Sequence, residues 1–227
     1  MAGRMMWRAF GRGLRDLLDN LLPMTVASLA WWGTLLLIVT APAGTLALFT
    51  FTDPNRLSEH LRPTTAELKA RLRQEFGQAW LLVIVFGLPI VALVSNLTVY
   101  GGRWRSFGVL TVLWVLLLLL TLAAAGIACS LRAVHGYGYG QAVRAAIVGT
   151  LAHTTRLLPV LILLWVIVAT SGLLVVPAVM FVPALVALVF NHMTYALLGM
   201  TVADPLDPTA ERAAEQARSA GSKYSVN

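Results

Sequence analysis

LLPVLILLWVIVATSGLLVVPAVMFVPALVALVFNHMTYALLGMTVA, from Leu157 to Ala203, is a run of 47 residues without a single Asp, Glu, Lys or Arg. One bilayer crossing takes about 20 predominantly apolar residues. A run of this length, with Gly172 and Pro177 near its middle, predicts two membrane helices joined by a tight turn. Leu21 to Thr52, Phe76 to Gly102 and Ser106 to Leu131 are likewise free of those residues, so the whole chain reads as lipid-embedded.

Composition agrees: 58% of the 227 residues are hydrophobic and 12% are charged, with mean hydropathy +0.77. A water-soluble domain needs more surface charge than that. The net charge of +7 does not indicate nucleic acid, because the basic residues are dispersed beside the apolar runs, where anionic headgroups meet them. Cys129 is the only cysteine and falls in a predicted span, which excludes an intramolecular disulfide. Neither a phosphate-binding Gly-x-x-x-x-Gly-Lys-Ser/Thr loop, nor His-Glu-x-x-His, nor a paired-cysteine metal signature occurs. No cofactor, metal or catalytic residue is therefore expected.

Met6, Trp7, Phe10, Leu14, Leu17, Leu18 and Leu21 recur at helical spacing, with Arg8, Arg12 and Arg15 turned elsewhere. That pattern predicts an amphipathic helix lying at the membrane interface. A secretory signal peptide ending near Ala41-Pro42-Ala43 is the rival reading, set aside because the leading region is long and carries Asp16 and Asp19. Thr40-Ala41-Pro42 breaks the first apolar run. As helix its 32 residues measure about 48 Å, against about 60 Å for two crossings, so the second crossing must be short.

Asp53-Pro54 has the form of an N-cap with Pro at the first helical position. Thr64 with Glu67 makes a capping box that starts a basic amphipathic helix carrying Leu68, Lys69 and Leu72. Pro89 is expected to kink the next span, and the small residues Ala123 to Ala128 to allow close helix contact. The expected fold is an all-α, polytopic membrane protein of about six spans, with short amphipathic cytoplasmic helices beside the N-terminal interfacial one. One membrane domain, 1–203, contains spans at 22–40, 42–60 (short or partial), 77–100, 107–131, 157–174 and 177–199. A partly disordered cytoplasmic tail, 204–227, follows.

Lys and Arg are retained on the cytoplasmic side of plasma-type membranes. Six spans with both termini inside place 15 of the 17 basic residues there, whereas five spans give at most 11 against 6. Six spans with cytoplasmic termini are therefore expected.

Ionisable residues in lipid usually have a function, and no Asp or Glu falls inside any predicted span. That argues against a carboxylate proton relay, an intramembrane aspartyl protease and an acidic cation site. Asn96, Asn191, His192 and Thr194 are the candidate binding residues, as a hypothetical polar path. Interhelical hydrogen bonding is the bland alternative for His192, and Asn96 is open to the same discount. Ser171 and His192 echo a rhomboid protease's pair, yet their expected depths differ by about 15 Å or more, too far for a nucleophile and its base. Gly136-Tyr137-Gly138-Tyr139-Gly140 echoes a potassium-channel filter but lacks the preceding Thr-Val, so a flexible turn is expected. Leu21-Leu22-Pro23 and Pro42-Ala43 recur as Leu157-Leu158-Pro159 and Pro177-Ala178, a repetition that chance explains in a chain so rich in Leu, Pro and Ala.

Ile38-Val39-Thr40-Ala41-Pro42-Ala43-Gly44-Thr45, Leu48-Phe49, Phe76-Gly77-Gln78-Ala79-Trp80 and Arg156-Leu157-Leu158-Pro159 appear in the order seen in the YesL family. Between about Leu21 and Gly199 the chain resembles these small bacterial integral membrane proteins of undefined activity. The loop at Val134 to Gly140 departs from the family, with repeated glycines instead of bulky aromatics. The resemblance implies a multi-pass protein of the bacterial cell (inner) membrane, encoded near carbohydrate ABC importers and polysaccharide-degrading enzymes. Its expected function is that of a non-enzymatic accessory or interacting component of a membrane transport system, carbohydrate uptake being the implied process. The implied partners are ABC transporter permease subunits besides the lipid bilayer. The alternative is a small solute transporter or channel in its own right.

Overall fold

The computed structural model describes residues 2–58, 70, 72–100, 104–173 and 175–200, and among these every regular element is helical. In chain order they are α1 (Ala2–Asp19), α2 (Leu21–Leu36), α3 (Ala41–Phe51), α4 (Pro54–Ser58), α5 (Ala79–Tyr100), α6 (Trp104–Ala133), α7 (Tyr139–Ala152), α8 (Thr154–Gly172) and α9 (Val175–Leu197). Long apolar stretches capable of crossing a membrane occupy Ala79–Tyr100, Gly108–Ala133, Thr154–Gly172 and Ala178–Leu197. These correspond to the four later predicted spans.

The first two predicted spans are shorter helices. The segment 22–40 is α-helical only to Leu36 and ends in a tight turn at Ile38–Thr40. The segment 42–60 is not one helix, because α3 stops at Phe51 and α4 begins at Pro54. Thr52 turns its hydroxyl back onto the Leu48 carbonyl at 3.0 Å, and the Asp53 carboxylate accepts the Asn55 backbone N–H at 3.1 Å. The expected cap at Asp53-Pro54 thus forms and starts a new helix. The 11 residues of α3 rise about 16 Å, half of a 30 Å hydrocarbon core. Thr64, Glu67, Leu68, Lys69 and the tail 204–227 lie outside the described residues.

α9 is the hub, contacting α1, α2, α6 and α8. Small residues bring its neighbours close. A Cβ on Gly126 of α6 would stand 2.6 Å from the Phe190 ring, and one on Gly13 of α1 would stand 3.3 Å from the Val189 backbone. The close contact expected at Ala123 to Ala128 is present, with Ala123, Ala124, Ile127 and Ala128 buried. α1 forms where the sequence predicts an amphipathic helix, yet one face is covered by protein: Met6, Ala9, Phe10 and Leu17 are buried. Arg8, Arg12 and Arg15 are exposed on the opposite side, and Trp7, Leu14 and Leu18 form an exposed apolar strip between.

The break at Pro183 is repaired by a neighbouring helix, as a lipid medium requires. Pro183 inside α9 has no N–H to give the Val179 carbonyl. The Trp32 indole N–H of α2 donates to that carbonyl at 3.0 Å, and Ser28 Oγ accepts the neighbouring Ala184 N–H at 3.3 Å. Ser28 meeting Ala184 and Trp32 meeting Val179 makes α2 antiparallel to α9. In α5, Pro89 removes the donor for the Val85 carbonyl, and the helix widens into a π turn over Val83–Gly87 just before it.

α5 and α6 pair as a hairpin, with the Tyr100 and Trp114 rings 5.1 Å apart near its far end. That hairpin stands partly clear of the bundle. Only 11% of the most apolar 18-residue stretch of Ala79–Tyr100 is buried, against 67% of the corresponding stretch of Ala178–Leu197.

Candidate functional site

Polar side chains gather where α3, α6 and α9 end. The last carbonyls of a helix have no intrahelical donors, and at the end of α3 the donor comes from α9. Asn191 Nδ2 donates to the Phe49 carbonyl at 2.9 Å, the Thr52 carbonyl at 2.9 Å and Thr52 Oγ1 at 3.1 Å. Asn191 is fully buried, and its Oδ1 has no partner.

One turn later on α9, Tyr195 donates its hydroxyl to Asp53 Oδ1 at 2.9 Å and accepts from Asn55 Nδ2 at 3.1 Å. The His135 ring, just past α6, packs edge-on against Tyr195 with centroids 4.7 Å apart. Burial lowers the His135 imidazole below its ordinary value, with the nearby Asp53 carboxylate pulling the other way. His135 Nε2 is buried without a partner.

A second cluster ties the approach to α5 to the α6–α7 turn. Arg132 grips Glu75 through two contacts, Nε to Oε2 at 3.2 Å and Nη2 to Oε1 at 2.6 Å, the bidentate geometry that suits a carboxylate. Arg132 Nη1 also donates to the Tyr137 carbonyl at 3.1 Å, and its guanidinium lies 4.5 Å from the Tyr139 ring centre. The Tyr139 hydroxyl donates to Glu75 Oε2. Burial, then that hydrogen bond, pushes the Tyr139 phenol up to about 12. Gly136, at φ +69°, makes the turn expected here, while Gly138 caps α7 and Gly140 lies within it.

A third contact joins α1 to α9: His192 Nε2 lies 2.7 Å from Asp16 Oδ2, with the His192 side chain 3% exposed.

Of the four candidate path residues, the three on α9 turn to different partners. Asn191 caps α3, His192 holds Asp16, and Thr194 donates to the Phe190 carbonyl of its own helix at 2.8 Å. Asn96 is elsewhere, four residues before Tyr100 at the far end of the α5–α6 hairpin. With Tyr100 against Trp114, Asn96 lies near the level of Leu118 of α6, whereas Phe190, beside Asn191, packs on Gly126, about 12 Å further along that helix. Ser171 sits in the last turn of α8, and His192 lies 17 residues into α9, about 25 Å along the helix.

No protein family, curated protein or solved structure matches this chain. Chemistry alone assigns the site. Each acid named here, Asp16, Asp53 and Glu75, is held by a side chain or helix terminus from elsewhere in the bundle. No group of three or more His, Cys, Asp or Glu residues is placed to hold a metal among the described residues. The arrangement locks helix ends together.

Asp16, Asp53, His135, Glu75 and Arg132 were not singled out as site residues from sequence. Glu75 and Arg132 carried a usable signal: Glu75 is the last acid before one charge-free run, and Arg132 the first base after the next. Adjacent antiparallel spans bring such residues to one level.

Proposed function

We propose that this chain is a non-enzymatic integral membrane protein that packs against a membrane transport complex, on the pattern of the YesL family it resembles, with carbohydrate ABC permeases as partners. The observation that carries the reading is the α5–α6 hairpin, in whose first helix 11% of the most apolar 18-residue stretch is buried, against 67% of the corresponding stretch of α9. Its bare faces suit another protein's membrane helices. Asn191 and His192 are engaged in joining helices, Thr194 bonds within α9, and Asn96 sits on the separate α5–α6 hairpin, so they do not form one continuous path. That favours an accessory role over solute transport.

In this reading the membrane is a bacterial inner membrane. The chain crosses six times with both termini in the cytoplasm, α2 and α3 making two short crossings and the polar clusters lying at the cytoplasmic end. Charge supports it, since 15 of 17 basic residues then lie inside. Gentle detergent co-purification from native membranes tests the role. An ABC permease should come with the wild-type chain and be lost when Val91 and Val94 of α5, both exposed, are changed to Trp. Saturable solute uptake into liposomes holding this protein alone overturns the accessory role in favour of the transporter.

A further inference from the structure

An open cleft with about 460 Å³ of free space lies between the first turns of α5 and the outer side of α7. That volume falls in the range of about 300–1,000 Å³ typical of small-molecule sites. Its lining is ordered by polarity. Tyr139 and Arg144 belong to the polar end of α7, near the Glu75–Arg132 pair, while Leu81, Val85, Ile147 and Val148 supply an aliphatic surface. Arg144 is exposed and forms no ion pair with a carboxylate among the described residues. Arg132, by contrast, is engaged by Glu75. Ile147 and Val148 are 40% and 59% exposed, so the aliphatic side opens onto the bundle's exterior.

An uncommitted guanidinium at the mouth of an apolar cleft, at the end of the spans where charged residues gather, has the head-to-tail polarity of a phospholipid. Basic pockets between membrane helices hold anionic headgroups, and a long arginine side chain reaches the interface while its stem stays apolar. We propose that this cleft binds one anionic phospholipid, its phosphate on Arg144 and an acyl chain against Leu81, Val85, Ile147 and Val148. A fork of N–H donors suits phosphate, and no carboxylate among the described residues occupies that fork. The site does not depend on whether the chain serves a transport complex or moves a solute itself.

The test uses the delipidated full-length protein in neutral detergent, with phosphatidylglycerol and phosphatidylcholine of identical acyl chains as probes, read by native mass spectrometry and by the melting temperature. Wild-type protein should retain phosphatidylglycerol several-fold better than phosphatidylcholine. Arg144→Gln should weaken phosphatidylglycerol binding about fivefold, the scale of one basic residue at a membrane surface. Val148→Trp, which fills the aliphatic side, should weaken both lipids, whereas Arg8→Gln on α1 should leave the preference intact. Equal retention of the two lipids by the wild type overturns the proposal. So does an Arg144→Gln variant that keeps the wild-type preference, an Arg8→Gln variant that loses as much as Arg144→Gln, or full competition by tail-less glycerol phosphate.

Discussion

His192 Nε2 stands 2.7 Å from the Asp16 carboxylate across 176 residues of chain, and so fastens the amphipathic N-terminal helix to the hub of the bundle. A hydrogen bond with a charged partner contributes about 1.5–3 kcal/mol when geometry is good. His192→Leu and Asp16→Leu should each lower stability in a detergent unfolding titration. The double variant should show a coupling of at least ~1 kcal/mol. A coupling indistinguishable from zero means the two residues merely adjoin.

Asn191 caps the end of α3, so Asn191→Leu leaves the Thr52 carbonyl without its donor and the Phe49 carbonyl with only the 3.3 Å bond from Thr52 Oγ1. With each buried unsatisfied group costing about 1–3 kcal/mol, the expected loss is about 2–4 kcal/mol. Asn96→Leu, at the far end of the hairpin, should cost less than ~0.5 kcal/mol. Equal losses at the two positions contradict the capping role.

Trp32 donates to the carbonyl that Pro183 leaves open. Trp32→Phe should cost about 1 kcal/mol in the wild-type background. In a Pro183→Ala background the helix supplies its own donor to Val179, and the same change should become nearly neutral. Urea or dodecyl sulfate titration of the four proteins decides it, and additive losses refute the repair.

His135 predicts a pH dependence. Burial lowers its folded-state pKa, so below about pH 6.5, the ordinary histidine value, the unfolded chain binds a proton that the folded chain resists. Stability is therefore fully present above that pH and declines as pH falls toward the folded-state pKa. The melting temperature should drop between pH 7.5 and 5.5, and His135→Asn should flatten part of that slope. An unchanged slope assigns the acid sensitivity elsewhere.

Much of the fold was legible because lipid imposes a simple rule: long stretches without charge become helices. Four such stretches did, and Asp53-Pro54 and Ala123 to Ala128 behaved as their local chemistry dictates. The expectation of only a short or partial span at 42–60 rested on the same signal, since Asp53-Pro54 ends one helix and starts another. Longer-range matters were hidden. Helical periodicity shows that Asp16 borders the apolar face of α1, but not that His192 waits on the helix covering that face. Nothing adjacent to Pro183 announces that Trp32 completes its backbone. Such pairings depend on which helices are neighbours, and apolar surfaces of similar composition do not encode that choice in one sequence.

Because α1, α2, α6 and α8 all rest on α9, the elements synthesised first stay without their common support until the latest of them has left the ribosome. Gly13, Ser28 and Gly126 spend that interval facing lipid or insertion machinery. Biogenesis of this protein is thus a waiting process, and damage to α9 should register as rapid turnover of the whole chain by membrane proteases rather than as a local defect.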